Sequence, residues 1–192
     1  MEPIQDKKTM LFESALELIR EHGFHGTPVS RVARHAGVAS GTVYTYFKSK
    51  DEMILELYKY VKIKVMAEVS AKDSPELPFQ HRFFAFWDNL TSLYLTKPAF
   101  QSFMEQFVSS PYNTPELQRS TDLWGAWLGK FFGEGVKEGA LRPLSPQILA
   151  VMVIGNVISL VRYLTYFKSQ TQSMKGELKQ IPQMVWDGIK NQ

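Results

Sequence analysis

The apolar residues of this chain recur at helical spacing almost throughout. Over residues 7–22, Leu11, Ala15, Leu18 and His22 share one face, with Phe12 and Ile19 beside them. That is the period of an amphipathic helix. Asp6 is placed to cap its start and Gly23 to end it. Thr27 and Pro28 open a second helix, Thr27 as cap and Pro28 in the first turn, and Gly37 closes it. A third, short helix covers 40–47, and Ser49 caps a fourth over 50–69. Residues 71–78 carry two prolines and read as a linker. Beyond them the spacing predicts helices over 79–96, 98–109, 115–138, 145–168 and 174–190. No Asn-Gly or Asp-Gly turn and no sustained period-two run points to strands. The expectation is an all-α protein of about nine helices. Residues 1–50 form an N-terminal domain, linked through helix 50–70 to a second domain over 71–192.

Composition narrows the function. The chain has 192 residues, enough to bury a core without a staple. It has no cysteine, which excludes a disulfide scaffold, thiol catalysis and thiolate zinc sites. Residues 1–6 are polar and lack a secretory apolar region. The most apolar run, Ile148 to Val161, is broken by Gly155, Asn156 and Ser159. It falls short of the roughly 20 residues of a bilayer span. A buried helix and no membrane partner are expected. No Walker loop, nucleophile elbow or metal-binding helix motif favours an enzyme. The glycines at 125, 129, 133 and 135 follow no strand, so close helix packing is their expected role. Neither a cofactor nor a metal site is expected.

Net charge is only +3, so its placement matters more than its sum. Residues 22–50 hold Arg31, Arg34, Lys48, Lys50 and three of the four histidines, and no acid, in a chain with 19 acids. Such a window is a local basic footprint for nucleic acid. Inside it, Val32-Ala33, Ala36-Gly37-Val38 and Val43 lay out a helix, a tight turn and a second helix. Ala33 is small where the second helix would cross, and Gly37 permits positive φ at the turn. This is the plan of a helix-turn-helix. Its third helix offers Ser40, Thr42, Tyr44, Thr45 and Tyr46, side chains able to hydrogen-bond phosphates and base edges.

The stretch from Gly23 to Lys50 resembles the DNA-binding domain of the TetR family of bacterial transcription regulators. The likeness covers about residues 9–57. It rests on Thr27, Ala33, Ala36-Gly37-Val38, Gly41-Thr42-Val43-Tyr44, Tyr46-Phe47 and Lys50, all in register. Ala39 departs from it, standing where the family commonly has a serine cap. The resemblance implies that Thr27 and Pro28 approach the DNA backbone. It implies that Ser40, Gly41, Thr42, Thr45 and Tyr46 face the major groove. Tyr44 and Lys50 would anchor phosphates, and Arg31 and Lys48 would add attraction. It also implies a C-terminal ligand-binding and dimerising domain, and a bacterial, cytoplasmic setting.

Aromatic residues crowd 79–138, as pockets for small apolar ligands require. Trp87, Phe103, Met104, Phe107, Trp124 and Trp127 are the candidate lining, with Gln106, Asn156 and Arg162 as polar groups. Plain core packing explains the same stripe. Helix 145–168 is apolar nearly all round and must be buried on several sides. Pairing it and the last helix with a second copy, through Ile154, Ile158, Ile181, Val185 and Ile189, would bury both. Such a homodimer suits a palindromic operator in double-stranded DNA. The expected function is a ligand-responsive repressor, released by a small, largely apolar effector, with helix 50–70 carrying the motion. An activator with the same contacts, and a helical carrier that does not bind DNA, remain open here.

Overall fold

The computed structural model describes residues 4–119, 123–167 and 174–192. It runs α1 (Ile4–His22), α2 (Val29–His35), α3 (Ser40–Tyr46), α4 (Lys50–Ser70), α5 (Phe79–Thr96), α6 (Pro98–Val108), α7 (Pro115–Arg119), α8 (Leu123–Lys137), α9 (Pro146–Tyr166), α10 (Lys175–Leu178) and α11 (Ile181–Ile189). Among the described residues the only β pairing is an isolated bridge between Leu141 and Lys190. The all-α expectation holds.

The boundaries differ where local chemistry competes. α1 starts at Ile4, so Asp6 lies inside it rather than capping it. Pro28, not Thr27, is the N-cap residue of α2. The single helix expected over 174–190 is two, because Pro182 sits in the first turn of α11 and cannot continue a helix from α10. Within the expected 115–138, α7 and α8 are seen, and residues 120–122 lie outside the described residues. Gly23 and Gly37 take φ of 66° and 69°, the left-handed stops their positions demanded.

Packing divides the chain into two units, and the cuts do not follow the expected 1–50 and 71–192. One unit is Met1–Lys62 with Lys97–Ser120; the other is Ile63–Thr96 with Thr121–Gln192. α6 is the reason: it packs on α1. Phe100, Phe103 and Phe107 of α6 are buried in that unit, whose core also holds Leu11, Leu16 and Ile19 of α1 and Met53, Ile54 and Leu57 of α4. Phe107 stacks on Tyr58, centroids 4.0 Å apart and 8° from parallel. Gln106 Nε2 donates to the Ile19 carbonyl at 3.1 Å, near the end of α1.

In the second unit α9 packs on α5 and α8, and α11 on α5 and α9. Leu149, Val153, Val157 and Val161 form the buried stripe of α9. Gly135 of α8 is the glycine that close packing requires: an added Cβ would lie 2.6 Å from the Phe79 ring and 2.8 Å from Leu141. Gly129 has open space instead. The loop 71–78 is no free linker. Asp73 takes two hydrogen bonds from Arg82 Nε and Nη2, at 2.8 and 2.9 Å, and Glu134 accepts a third from Nη2 at 2.8 Å.

Candidate nucleic-acid interface

Three short pieces build the surface. After α1 stops at Gly23, the Thr27 hydroxyl donates back to the Gly23 carbonyl at 2.8 Å. Thr27 is 1% exposed. It supports the surface from beneath and does not lie on it. Arg31 Nη1 donates to the Gly26 carbonyl at 2.9 Å, bracing the same turn from α2. The turn into α3 closes through Val38 N donating to the Ala33 carbonyl at 3.0 Å. Ala33 and Val43 are fully buried, so the two helices meet closely and Val43 pins α3 by its inner face.

That anchoring leaves Ser40, Gly41, Tyr44 and Thr45 exposed, with Thr42 and Tyr46 half-buried. No carboxylate stands on this helix. A Cβ added at Gly41 would meet nothing within 4 Å. The Thr45 hydroxyl donates to the Thr42 carbonyl at 2.6 Å, so toward a partner its oxygen is an acceptor. Lys48 is exposed and precedes a reciprocal cap. Ser49 Oγ accepts from Glu52 N at 3.1 Å, and the Glu52 carboxylate accepts from Lys48 N. The Lys50 ammonium donates to the Phe24 carbonyl, tying α4 to the α1–α2 turn. Lys50 therefore has a structural duty besides the phosphate anchoring implied for it.

Beside α3 lies a hollow of about 550 Å³ whose wall includes His25, Pro28, Ser30, Arg31, Arg34 and Ser40. Its lining has cationic or neutral groups and no carboxylate. Such a concavity suits a phosphate backbone. His25 and Arg34 both belong to the acid-free window, which was the signal that contained them.

The expected effector residues are divided between the two units. Phe103, Met104 and Phe107 belong to the first unit, where Phe103 and Phe107 are buried in its core, and Gln106 is the tie to α1. Trp87, Trp124, Trp127, Asn156 and Arg162 belong to the second. There Trp124 stacks on Trp127 at 5.6 Å and Trp127 on Phe131 at 5.1 Å, a ladder along α8. Trp87 is buried on α5, while Asn156 and Arg162 are exposed on α9. Of the expected dimer residues, Ile154, Ile158, Ile181 and Val185 are half-buried. Ile189 is 1% exposed, already covered by its own chain. The outward stripe of α9 is instead Ile148, Val151, Met152, Gly155, Asn156, Ser159, Arg162 and Tyr166. Burial on several sides was expected; among the described residues this stripe is uncovered.

Comparison with known proteins agrees with this geometry. Residues 11–57 match the family described as bacterial regulatory proteins, tetR family. Residues 78–190 match the tetracyclin repressor-like C-terminal domain. An HTH-type transcriptional regulator of Bacillus subtilis (strain 168) is 26% identical over 160 residues, 81% of this chain and 83% of that protein. The crystal structure of a TetR family regulator from Marinobacter aquaeolei VT8 superposes with TM-score 0.86 at 22% identity, over 98% of this chain and 97% of that one. FadR from Bacillus subtilis, solved in complex with stearoyl-CoA, gives TM-score 0.67 at 20% identity, over 93% and 95% of the two chains. The two family matches meet the two ends of one architecture, and the chain belongs to the TetR family of bacterial transcription regulators.

Proposed function

We propose that this regulator is a homodimeric repressor that binds a palindromic operator in the bacterial cytoplasm and is released by a small, largely apolar effector. The observation that carries the reading is α3: an acid-free face of hydroxyls, tyrosines and one open glycine, held outward by the buried Val43. Such a face suits direct readout in the major groove. Arg31, Arg34, Lys48 and His25 around it supply the salt-dependent attraction to phosphates.

Dimerisation is supported by the uncovered stripe of α9. Val151 is 69% exposed and Ile148 52%, beside Met184 of α11 at 68%. Apolar area of that kind in water favours a partner. A second copy, related by a two-fold axis, would set two recognition helices on successive major grooves. The effector reading rests on the aromatic second unit, and FadR in complex with stearoyl-CoA offers a precedent on the same fold. The chain crosses between the units three times, and the two crossings within the described residues can carry the response. α4 runs unbroken from one unit to the other at Lys62–Ile63, and α5 hands over to α6 at Thr96–Lys97. An effector that prefers one conformation of the second unit lowers operator affinity by its ratio of affinities for the two states.

The test is selection of genomic fragments by the purified protein, with Thr42→Ala/Tyr46→Ala as control. A palindromic site recovered by the native protein alone is the expected result. Should both proteins recover the same salt-sensitive DNA, groove reading by α3 fails; should neither recover DNA, the carrier reading takes its place.

A further inference from the structure

A second cleft, of about 620 Å³, opens within the first unit. Its walls are the α1–α2 turn, the first turn of α4, and the end of α6 with the turn that follows it. Two helices end here, which brings main-chain carbonyls to its walls. Three of them are already satisfied. The Ile19 carbonyl accepts from Gly23 N and Gln106 Nε2, at 2.8 and 3.1 Å. The Phe107 carbonyl accepts from Ser110 N and Oγ, at 3.0 and 2.7 Å. The Phe24 carbonyl accepts from Thr27 N and the Lys50 ammonium. The one acid in the wall, Asp51, accepts the Tyr112 hydroxyl at 2.8 Å.

What the cleft still offers is donors and ring faces. The Lys50 ammonium has two further N–H groups. His22 and His25 stand in the wall, the His22 imidazole 3.6 Å from Glu21 outside it. Phe24 and Tyr112 meet edge to face at 5.6 Å and supply flat apolar surface. The volume falls among small-molecule sites, which run to roughly 300–1,000 Å³. We propose that this cleft binds a small aromatic carboxylate, its ring against Phe24 and Tyr112 and its carboxylate on Lys50 and His25. This would be a second ligand site, in the DNA-binding unit and distinct from the effector site of the second unit. Occupancy would act directly on the α1–α2 turn that supports the recognition surface.

The four histidines make the test specific. His22 and His25 line the cleft, whereas His35 on α2 and His81 on α5 do not. Benzoate is added to the full-length protein while the histidine Cε1–H resonances are followed, and inorganic phosphate is added in a parallel titration. Saturable shifts of His22 and His25 alone, with phosphate much weaker, are expected. Ser109→Trp, which fills the cleft from an exposed position, should weaken the benzoate response about tenfold or more. No histidine shift, or equal shifts with phosphate, would overturn the proposal on the unmodified protein. All four tryptophans, Trp87, Trp124, Trp127 and Trp186, lie in the second unit. A tryptophan fluorescence response without histidine shifts would therefore place benzoate there, overturning this site while leaving the effector reading intact. Failure of the operator selection would leave the histidine result standing.

Discussion

Gly41 sits on the exposed face of α3, where glycine weakens a helix by about 0.5–1 kcal/mol relative to alanine. Nothing in the free protein demands it. Its φ is not positive, and an added Cβ would touch nothing within 4 Å. Close approach of a partner is the remaining physical reason. Gly41→Ala is expected to raise the thermal midpoint and lower operator affinity. If affinity is unchanged in a fluorescence anisotropy titration, Gly41 is not at the interface. Arg82 is the opposite case, a cation only 3% exposed. Its hydrogen bonds to Asp73 hold it protonated well above its ordinary range against the cost of burial, with help from Glu134. Arg82→Met leaves Asp73 without its partner and Glu134 with only Lys130, 3.9 Å away. It should cost about 3 kcal/mol in denaturant unfolding; a loss below about 1 kcal/mol would show the carboxylates rehydrate instead. Only the family resemblance pointed to Gly41. Nothing in the sequence pointed to Arg82, because Asp73 and Glu134 meet it only through packing. Thr27 was misjudged for a related reason: a threonine before a proline looks like a cap until its hydroxyl is seen on Gly23.

At the scale of elements, caps and punctuation were the legible part. Ser49 caps α4 and Gly37 turns the helix-turn-helix, because both effects depend on neighbours within a few residues. The Ile181-Pro182 break is equally local, but the apolar period runs on through it and conceals it. α9 shows the limit of periodicity. The helix has 21 residues and an 18-residue stretch of mean hydropathy 1.9, enough by length and composition for a bilayer span. In this fold one stripe packs on α5 and α8, while the outer stripe mixes Val151 and Met152 with Asn156, Ser159 and Arg162. Val151→Asp should leave monomer stability nearly unchanged, since the side chain is 69% exposed. It should shift the protein from dimer to monomer in sedimentation velocity. A dimer that survives it would put the interface elsewhere.

For the whole molecule, alkaline pH is the revealing axis. Burial pushes the Tyr94 hydroxyl up to about 12. Burial, with the Asp51 carboxylate, does the same to Tyr112, also to about 12. Tyr60 is raised too, by burial and then by Glu13. An unfolded tyrosine titrates near 10. A folded value raised above it means the stabilisation is complete below pH ~10 and is lost as pH climbs through the folded values. Tyr94 belongs to one unit, Tyr60 and Tyr112 to the other, so both should weaken in the same window. The denaturation midpoint is expected to fall between about pH 10 and 12, less steeply in Tyr112→Phe. A flat profile through pH ~12 would contradict these environments.

The sequence by itself determined the helical class, the helix-turn-helix and its outward face. Each depends on spacing, caps and turn residues within one or two turns of chain. Only the tertiary structure decided that α6 belongs with α1, that Lys50 reaches back to Phe24, and which stripe of α9 stays uncovered. Those outcomes depend on which apolar faces meet across long loops, and a period shared by every helix cannot say which face finds which.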